Sequence, residues 1–500
     1  MKILFINPPY IRFKHIENTY FPLGLGYLAS IVKQSGHTAA IYNAEIPAPK
    51  EKAREGKFED QLSDIGSAQR LKKRMYNFED LMWVEMERTI KTEKPDLIGI
   101  GTRTVTLGVT KRIAELAKKI DENIKIVVGG PHASVDPHSC FTENIDFVIR
   151  GEGEIAIKSL TEFLEHKKPI EKVRNLVFKK NGQLVENRIA PFINDINNLP
   201  LPDRTALLNI HHYPRNVIGS FMTDLIGSRG CSFDCKFCSV KNVWGKTVRF
   251  RSPENVIGEM DQIYRQFGNT EFHLWDDTFT LNKTYFQRFC DVLIDKKSPF
   301  LWSCATRADL LTDDILKKMK RAGCFTVFIG VESGSEKTLK CISKNISLQK
   351  VLQAQGGLQK ARMSWKTYFI IGFPDETKEE MLKTFDFMKS IHPTRFYLNV
   401  FTPYPGTELY ERCEKLGLLK GIDWDLVETK GSTYSFANAI DKEEFSKILK
   451  KMSHYVDTYN ARIETPLRKI FERFSYIRNP VRFAKRITRY ILKRVILGWR

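Results

Sequence analysis

The sequence predicts an α/β protein with two units built on parallel strands. The first is a doubly wound, Rossmann-like parallel sheet, and the second is a partial (β/α)6 barrel of TIM type. Apolar strands alternate with helices along the first 165 residues, and the same alternation resumes after a segment with three cysteines. A helical, basic C-terminal region follows. We expect the Rossmann-like unit at residues 1–165, a hairpin and linker at 166–205, the partial barrel at 206–415 and the C-terminal region at 416–500.

The composition is that of a globular protein. Of 500 residues, 42% are hydrophobic and 28% are charged, which excludes intrinsic disorder, and nine cysteines are too few for a disulfide scaffold of this length. No apolar run approaches the ~18 residues of a membrane-spanning helix. The opening segment Met1–Asn7 has the pattern of a strand and not of a signal peptide. We therefore expect a cytoplasmic protein in which closely spaced cysteines bind a metal or take part in catalysis.

The first unit contains five apolar strands with helices between them. They are predicted at Lys2–Ile6, His37–Tyr42, Asp96–Thr102, Ile124–Val128 and Phe147–Ile149, with a charged helical insertion at residues 50–93. Ligands of such sheets bind beyond the carboxyl ends of the strands. Two of these ends read Gly129-Gly130-Pro131-His132 and Gly151-Glu152-Gly153-Glu154. Glycines let a backbone approach a ligand closely, although a Gly pair after a strand is also ordinary turn chemistry.

The segment 166–205 is predicted to connect the two units. Strands at Val173–Phe178 and Leu184–Ile189 flank Asn181-Gly182, a dipeptide typical of a hairpin turn. Asn198–Asp203 contains two prolines and is predicted to be a stiff linker.

The most specific motif is Cys231-Ser-Phe-Asp-Cys235-Lys-Phe-Cys238, which directly follows a strand predicted at Thr223–Ser228. Structural zinc needs four closed ligands, and no fourth Cys or His lies nearby in sequence. Three cysteines suit a [4Fe–4S] cluster in which one iron is left without a protein ligand. An iron–sulfur cluster is therefore favoured over zinc or a chance spacing.

Six β/α units, counted from the strand before the cysteines, form the predicted barrel. Their later strands are predicted at Phe272–Trp275, Leu301–Ala305, Thr326–Val331, Lys366–Ile371 and Arg395–Phe401. Polar residues gather at the carboxyl ends of these strands, where barrel enzymes carry their chemistry.

These motifs together resemble the radical S-adenosylmethionine (radical SAM) superfamily, and within it the class with an N-terminal cobalamin-binding domain. The resemblance covers about residues 1–415. It implies that Cys231, Cys235 and Cys238 hold a [4Fe–4S] cluster whose fourth iron chelates the amino and carboxylate groups of SAM. Cobalamin is the third implied cofactor.

The resemblance also implies which residues contact SAM. Phe237 matches the aromatic residue that packs near the adenine, and Asp276 with Asp277 falls where the superfamily contacts the SAM amino group. Arg307, Glu332 and Ser333 match strand-end positions that contact its carboxylate or ribose. Each strand-end residue taken alone is equally explained by a loop cap or a salt bridge.

The cobalamin contacts are implied by further matches. Residues 23–28, together with Gly129, Gly130, His132, Gly151, Glu152 and Gly153, resemble the signatures of the cobalamin-binding domain. Many corrinoid proteins place Asp-x-His-x-x-Gly after the first strand so that the His ligates cobalt. Here that position reads Asn7-Pro8-Pro9-Tyr10, so we expect no lower His ligand.

The C-terminal residues 466–500 contain eleven Lys and Arg residues and one Glu. Their net charge of +10 is half of the net charge of +20 of the whole chain. Wound as a helix, Val481–Trp499 separates an apolar half from a basic half. Such a helix fits an anionic membrane surface, so peripheral binding to the inner face of a membrane is one prediction. The same pattern is compatible with a helix that docks on its own protein, and nucleic acid is a third partner for a basic surface.

The predicted function is C-methylation of an unactivated carbon in a lipid or another hydrophobic small molecule. A flavodoxin- or ferredoxin-type protein is the expected reductant. A first alternative keeps the cofactors but carries out cyclisation or oxidation. A second is RNA modification, which is disfavoured because the sequence has no second cysteine triad. A third is a corrinoid- or cluster-carrying binding protein without turnover.

Overall fold

The computed structural model describes residues 1–10, 12–14, 20–46, 72–213, 223–427 and 434–463. The predicted basic helix and residues 50–71 of the predicted insertion at 50–93 lie outside the described residues. Within the described ranges, no helix has the length and apolarity needed to cross a membrane.

The N-terminal unit is built around a seven-stranded sheet. Its strands are β1 (Lys2–Asn7), β2 (Thr38–Asn43), β3 (Leu97–Gly101), β4 (Lys125–Gly129), β5 (Phe147–Ile149), β6 (Leu176–Lys180) and β7 (Gln183–Glu186), in the order β2-β1-β3-β4-β5-β6-β7. The first five strands are parallel, as predicted. The predicted hairpin adds β6 and β7 as antiparallel strands at one edge.

Helices cover both faces of this sheet. They are α1 (Leu23–Gln34), α2 (Leu81–Glu93), α3 (Leu107–Ile120), α4 (Pro131–Val135) and α5 (Gly153–Leu164). One apolar core lies on each face: Leu4, Ile98 and Ile126 point into the first, and Phe5, Leu97 and Val127 into the second. The strands are therefore buried on both sides, which is why they are continuous apolar runs in the sequence.

The second unit is a six-stranded parallel sheet that curls into a partial barrel, as predicted. Its strands are β8 (Thr223–Leu225), β11 (Glu271–Leu274), β12 (Leu301–Thr306), β13 (Cys324–Glu332), β14 (Ser364–Ile371) and β15 (Arg395–Val400), in the order β15-β14-β13-β12-β11-β8. A two-stranded antiparallel ribbon, β9 (Ser228–Arg229) and β10 (Arg249–Phe250), follows β8.

The helices of the second unit alternate with its strands along the chain. They are α6 (Val240–Trp244), α7 (Pro253–Phe267), α8 (Lys283–Asp295), α9 (Asp313–Arg321), α10 (Glu336–Cys341), α11 (Leu348–Lys360), α12 (Lys378–Ser390), α13 (Glu408–Lys415) and α14 (Lys442–Ile463). Ser252, Thr312 and Thr377 cap α7, α9 and α12 through their side-chain oxygens, and Thr377 with Glu380 forms a capping box, a pattern that is visible in the sequence itself.

The predicted strand Thr223–Ser228 is divided into two in the structure. Its backbone turns at Gly227, where the Asp276 carboxylate accepts hydrogen bonds from the Gly227 N–H and the Ser228 hydroxyl. A Cβ on Gly227 would lie 2.7 Å from the Tyr285 hydroxyl oxygen. A side chain at position 227 would therefore displace the Tyr285 hydroxyl from this turn, which directs the chain toward the cysteines.

Candidate active site

The three cysteines lie in the loop that follows β9. Gly230 begins this loop at φ +99°, where a Cβ would lie 2.6 Å from the Thr247 carbonyl oxygen, so a residue without a side chain is required. The Cys238 N–H donates to the Cys235 carbonyl oxygen at 3.0 Å, and the Lys236 N–H donates to the Ile342 carbonyl oxygen at 3.0 Å. The loop is thus fixed both to itself and to the barrel.

The thiols of these cysteines are close enough to influence one another. All three are half-buried. Burial raises the pKa of the Cys235 thiol and raises that of Cys238 to about 12, and the neighbouring cysteines add to both shifts. Coordination to a metal centre would instead lower these thiol pKa values, because a coordinated thiol is deprotonated.

The chemistry of the donor set suits an iron–sulfur cluster, because the loop contains three cysteines and thiolates are the usual ligands of a [4Fe–4S] cluster. A cubic cluster offers a separate iron to each thiolate, so its ligands need not converge on one point. The remaining six cysteines lie elsewhere, five of them buried and only Cys341 exposed. The donor set therefore fits a [4Fe–4S] cluster with three protein ligands.

Asp276 and Asp277 follow β11 but face different surroundings. Asp276 is 1% exposed, and its carboxylate is engaged by the Gly227–Ser228 turn. The Asp277 side chain has no hydrogen bond within the described part of the chain, and its charge reaches Cys238. Burial raises the pKa of Asp277 to about 7. Of the two, only Asp277 has a charge that acts on a thiol of the cysteine loop.

Arg307 contacts the cysteine loop and a neighbouring loop of the barrel. Its guanidinium lies 3.9 Å from the ring of Phe233, which is within that loop, and donates to the Lys344 carbonyl oxygen at 2.9 Å. It also forms a bidentate pair with Asp309. Because these contacts occupy the guanidinium, the structure gives Arg307 a positioning role, and the SAM contact implied for it stays a prediction.

Glu332 and Lys344 form a buried ion pair beside Cys235. The carboxylate of Glu332 lies 2.9 Å from the Lys344 ammonium, and the charges of both residues act on the Cys235 thiol. Glu332 has φ +70°, an unusual conformation for a residue with a side chain and one found often at functional sites. Ser333 is buried and bonds Thr384 and the Ser335 N–H, so it shapes the loop.

The loop after β14 supplies two residues that sequence reasoning missed. Phe373 lies against Phe237, with ring centroids 6.0 Å apart. Glu376 is buried beneath it and accepts hydrogen bonds from the Gly372 and Phe373 N–H groups. The signal in the sequence was Gly372-Phe-Pro-Asp-Glu376, in which a carboxylate follows a strand-end glycine by four residues.

The carboxyl edge of the N-terminal sheet has the features of a ligand cradle. Gly129 ends β4, and Gly130 has φ +118°, where a Cβ would lie 2.7 Å from the Thr102 carbonyl oxygen. The backbone is therefore packed closely at this edge, and the cobalamin contact implied for Gly129 and Gly130 stays a prediction. The barrel loop that contains Gly406 faces the same edge, since a Cβ at Gly406 would lie 3.3 Å from Val135.

His132 is held inside this edge and does not project from it. Its Nδ1 bonds the Thr104 hydroxyl at 3.1 Å and its Nε2 bonds the Ser139 hydroxyl at 2.8 Å. Burial lowers the pKa of the imidazole, so the ring is neutral. Both ring nitrogens are occupied by the protein itself.

The Gly151–Glu154 turn connects the two units through what we call the interdomain ion cluster, consisting of Glu152, Glu154, Arg229 and Arg249. Glu152 lies 2.9 Å from Arg229 and 2.7 Å from Arg249, and Glu154 lies 2.5 Å from Arg229. All four are at most 8% exposed. The cobalamin contact implied for Glu152 stays a prediction, while its carboxylate fixes the start of the cysteine loop.

The two remaining glycines of this turn, Gly151 and Gly153, have backbone roles. Gly151 has φ +65°, and a Cβ on Gly153 would lie 3.3 Å from the Leu28 side chain on α1. They allow the turn to pass close to its neighbours, and their contact with a cofactor also stays a prediction.

Comparisons with known proteins agree with this geometry. Residues 225–388 match the radical SAM superfamily, and residues 11–161 match the B12 binding domain. The chain is 32% identical over 486 residues to an uncharacterized methyltransferase of Pyrococcus horikoshii, covering 95% of this chain and 96% of the relative.

A second relative is the anaerobic magnesium-protoporphyrin IX monomethyl ester cyclase of Cereibacter sphaeroides. It is 25% identical over 421 residues, which is 82% of this chain but 63% of the cyclase. Among solved structures, the cobalamin-dependent S-adenosylmethionine radical enzyme OxsB with aqua-cobalamin and S-adenosylmethionine bound has a TM-score of 0.67 at 16% identity, over all of this chain and 72% of OxsB. At that identity the likeness is one of fold.

Proposed function

Since the chain belongs to the radical SAM superfamily, in the class with a B12-binding domain, we propose that it C-methylates an unactivated carbon of a lipid or another hydrophobic small molecule. The protein is a cobalamin-dependent radical SAM enzyme related to methyltransferases, with a [4Fe–4S] cluster, SAM and cobalamin as cofactors. The observation that supports methyl transfer most directly is the methyltransferase relative, which matches both units along nearly the full chain.

The proposal assigns distinct tasks to the residues of the site. Cys231, Cys235 and Cys238 would hold the cluster, and Asp277 would face the positive amino group of SAM. When bound, these cofactors supply one-electron cleavage of SAM, a radical that removes hydrogen from carbon, and a methyl group carried by cobalamin. The buried Glu332–Lys344 pair and Arg307 would keep the cysteine loop in place and exclude water around it.

A second candidate is cyclisation or oxidation with the same cofactors. The observation in its favour is the cyclase relative, whose name describes ring closure of a protoporphyrin ester. The products separate the candidates, because methylation adds the mass of a methyl group whereas cyclisation or oxidation removes hydrogen.

The first experiment is anaerobic reconstitution with iron, sulfide, SAM, cobalamin and a chemical reductant. We expect formation of 5′-deoxyadenosine, and a methylated compound in a total hydrophobic extract analysed by mass spectrometry. Cys235→Ala should lose iron and activity, whereas Cys341→Ala, which alters an exposed cysteine outside the site, should retain both. Normal iron content and turnover in Cys235→Ala would show that the ligand assignment is wrong.

The proposed reductant is a flavodoxin- or ferredoxin-type protein.

The proposed binding partner of residues 466–500 is an anionic membrane surface. Flotation with vesicles that contain anionic lipid should carry the full-length protein upward, and removal of residues 466–500 should abolish this. A gel shift with RNA is the parallel measurement. Binding to RNA without vesicle binding would contradict the membrane proposal.

A further inference from the structure

Lys344 lies in a turn whose backbone has an unusual conformation. The turn separates α10 from α11, and its residues Ser343 and Asn345 have φ +55° and +47°, in the left-handed region that residues with a side chain seldom adopt. Such conformations persist where the surrounding structure imposes them, and they are frequent at functional sites. Between these two residues, the Lys344 side chain is only 10% exposed. The turn therefore holds a lysine inside the protein.

Arg307 fixes this turn to the barrel. Its guanidinium donates to the carbonyl oxygen of Lys344 at 2.9 Å and to that of Asn345 at 3.2 Å. The Lys344 N–H donates to the Leu339 carbonyl oxygen at 3.0 Å, at the end of α10. Because both its N–H and its carbonyl oxygen are bonded, the backbone of Lys344 is held on two sides. The fold thus sets the place of the ammonium group.

The Glu332 carboxylate meets this lysine at the end of β13. The Lys344 Nζ lies 2.9 Å from the Glu332 Oε1. The pairing of β13 with β14 shifts its register between Gly330 and Glu332, an irregularity of the kind that re-aims a side chain. A Cβ on Gly330 would lie 2.9 Å from the Lys344 Nζ and would collide with the Glu332 carboxylate. The ion pair therefore occupies the space that a side chain at position 330 would need.

Lys344 carries the strongest charge that acts on Cys235. Burial raises the pKa of the Cys235 thiol, and among the neighbouring charges the Lys344 ammonium opposes this rise most. Glu332 acts in the opposite direction and less strongly. Arg307, whose guanidinium is paired with Asp309, contributes the least of the three. Together these three charges place Cys235 in a net positive field.

The Lys344 ammonium keeps its proton despite its burial. Burial lowers the pKa of Lys344, but the charges of Glu332 and Cys235 together raise it further than burial lowers it. Both members of the ion pair are buried. Charges in such a water-poor region act on their neighbours more strongly than charges on the surface do. A full positive charge is therefore fixed beside one of the cluster cysteines.

A fixed charge changes how readily an iron–sulfur cluster accepts an electron. On reduction from the 2+ to the 1+ state, the cluster gains one electron, the reductant loses one, and no bond forms or breaks. A nearby cation stabilises the added negative charge and a nearby anion destabilises it. Cluster potentials accordingly vary with net charge, with hydrogen bonds to the sulfurs and with solvent exposure.

We propose that the Lys344 ammonium raises the reduction potential of the cluster on the three-cysteine loop, and that the Glu332 carboxylate partly offsets this effect. Lys344 is then a positioning residue that acts through Cys235 on the uptake of the electron from the reductant. This inference rests on the proposed function, and it specifies how the protein adjusts the electron transfer that this function needs.

The test is a potentiometric titration of the full-length, cluster-loaded protein without SAM, followed by electron paramagnetic resonance. We expect Lys344→Met to lower the midpoint potential and Glu332→Gln to raise it. Each shift should be at least tenfold in the one-electron equilibrium constant, which is about 59 mV. Opposite shifts are the mark of charge, since loss of a merely structural pair would move both potentials in the same direction.

Two further variants separate charge from shape. Lys344→Arg keeps the charge and should keep the wild-type potential. Lys340→Met, which removes an exposed lysine on α10 four residues earlier, is the matched control and should also keep it. A wild-type potential in Lys344→Met would overturn the proposal. If Lys344→Met does not retain iron, Glu332→Gln decides alone, and an unchanged or lower potential in that variant overturns the proposal as well.

Product analysis of the wild type keeps the two proposals apart. Absence of a methylated product would contradict the proposed function and would leave the potentials as a valid test of Lys344. A methylated product together with equal potentials in wild type and variants would contradict only the role of Lys344.

Discussion

At the scale of single residues, neighbours in sequence have different tasks because a strand end turns them to different sides. Asp276 and Asp277 were indistinguishable in the sequence. In the structure Asp276 is buried and holds the Gly227–Ser228 turn, and Asp277 faces the cysteine loop. A role in binding SAM is therefore supported for Asp277 and a structural role for Asp276.

We predict that Asp277→Asn weakens SAM binding by roughly tenfold or more, since it removes the negative charge opposite the SAM amino group, with little change in stability. Asp276→Asn should instead destabilise the fold by about 1–3 kcal/mol, because the amide leaves a buried donor unsatisfied. Equilibrium binding of SAM and denaturant unfolding of both variants check this. Equal losses of affinity in the two variants would contradict the division of roles.

At the scale of elements, the loops after the strands are held by carboxylates as much as by apolar contacts. After β14, Gly372 has φ +88°, and Glu376 accepts hydrogen bonds from two consecutive N–H groups of the turn. This turn places Phe373 against Phe237 in the cysteine loop. The conformation of the candidate SAM site thus depends on a carboxyl group that SAM need not touch.

We predict that Glu376 makes the stability of this loop depend on pH. Burial raises its pKa from 4.5 to about 8, so its contribution is complete below about pH 4.5 and is lost as pH rises through about 8. Relative to Glu376→Gln, which keeps an acceptor but does not titrate, the wild type should lose on the order of 1 kcal/mol of unfolding free energy per pH unit within that window. Unfolding of both proteins across this range is the measurement, and a constant difference would contradict the prediction.

At the scale of the whole molecule, the interdomain ion cluster joins the sheet edge proposed for cobalamin binding to the loop that contains the cysteines. Arg229 is two residues before Cys231 and reaches Glu152 and Glu154 of the other unit. Its guanidinium also lies 5.4 Å from the Tyr27 ring and 4.8 Å from the Trp244 ring. Alignment of the two cofactor sites therefore depends on contacts that neither unit makes alone.

We predict that Arg229→Met destabilises the protein by about 3–5 kcal/mol, because it leaves buried carboxylates without a partner. Arg412→Met, which removes an exposed pair with Asp375, should change stability by about 0–1 kcal/mol. Denaturant unfolding compares the two. A similarly small effect for both variants would show that the buried cluster does not stabilise the interface.

The sequence by itself determined the two parallel-sheet units, the hairpin between them, the helix caps and the three-cysteine loop. These features depend on local rules: strands buried on both faces need continuous apolar runs, caps need hydroxyl or carboxylate side chains, and cluster ligands need close spacing. The resemblance to the radical SAM superfamily rested on motifs in these same segments, and the relative at 32% identity showed the family.

Only the tertiary structure decided what each strand-end residue does. Glu152 pairs with arginines more than 70 positions away, Arg307 binds the carbonyl oxygen of Lys344, and the Tyr20 ring contacts the Trp275 ring of the other unit. Such contacts depend on how the two sheets pack against each other. They join parts of the chain that are far apart in sequence, so no local pattern of residues encodes them.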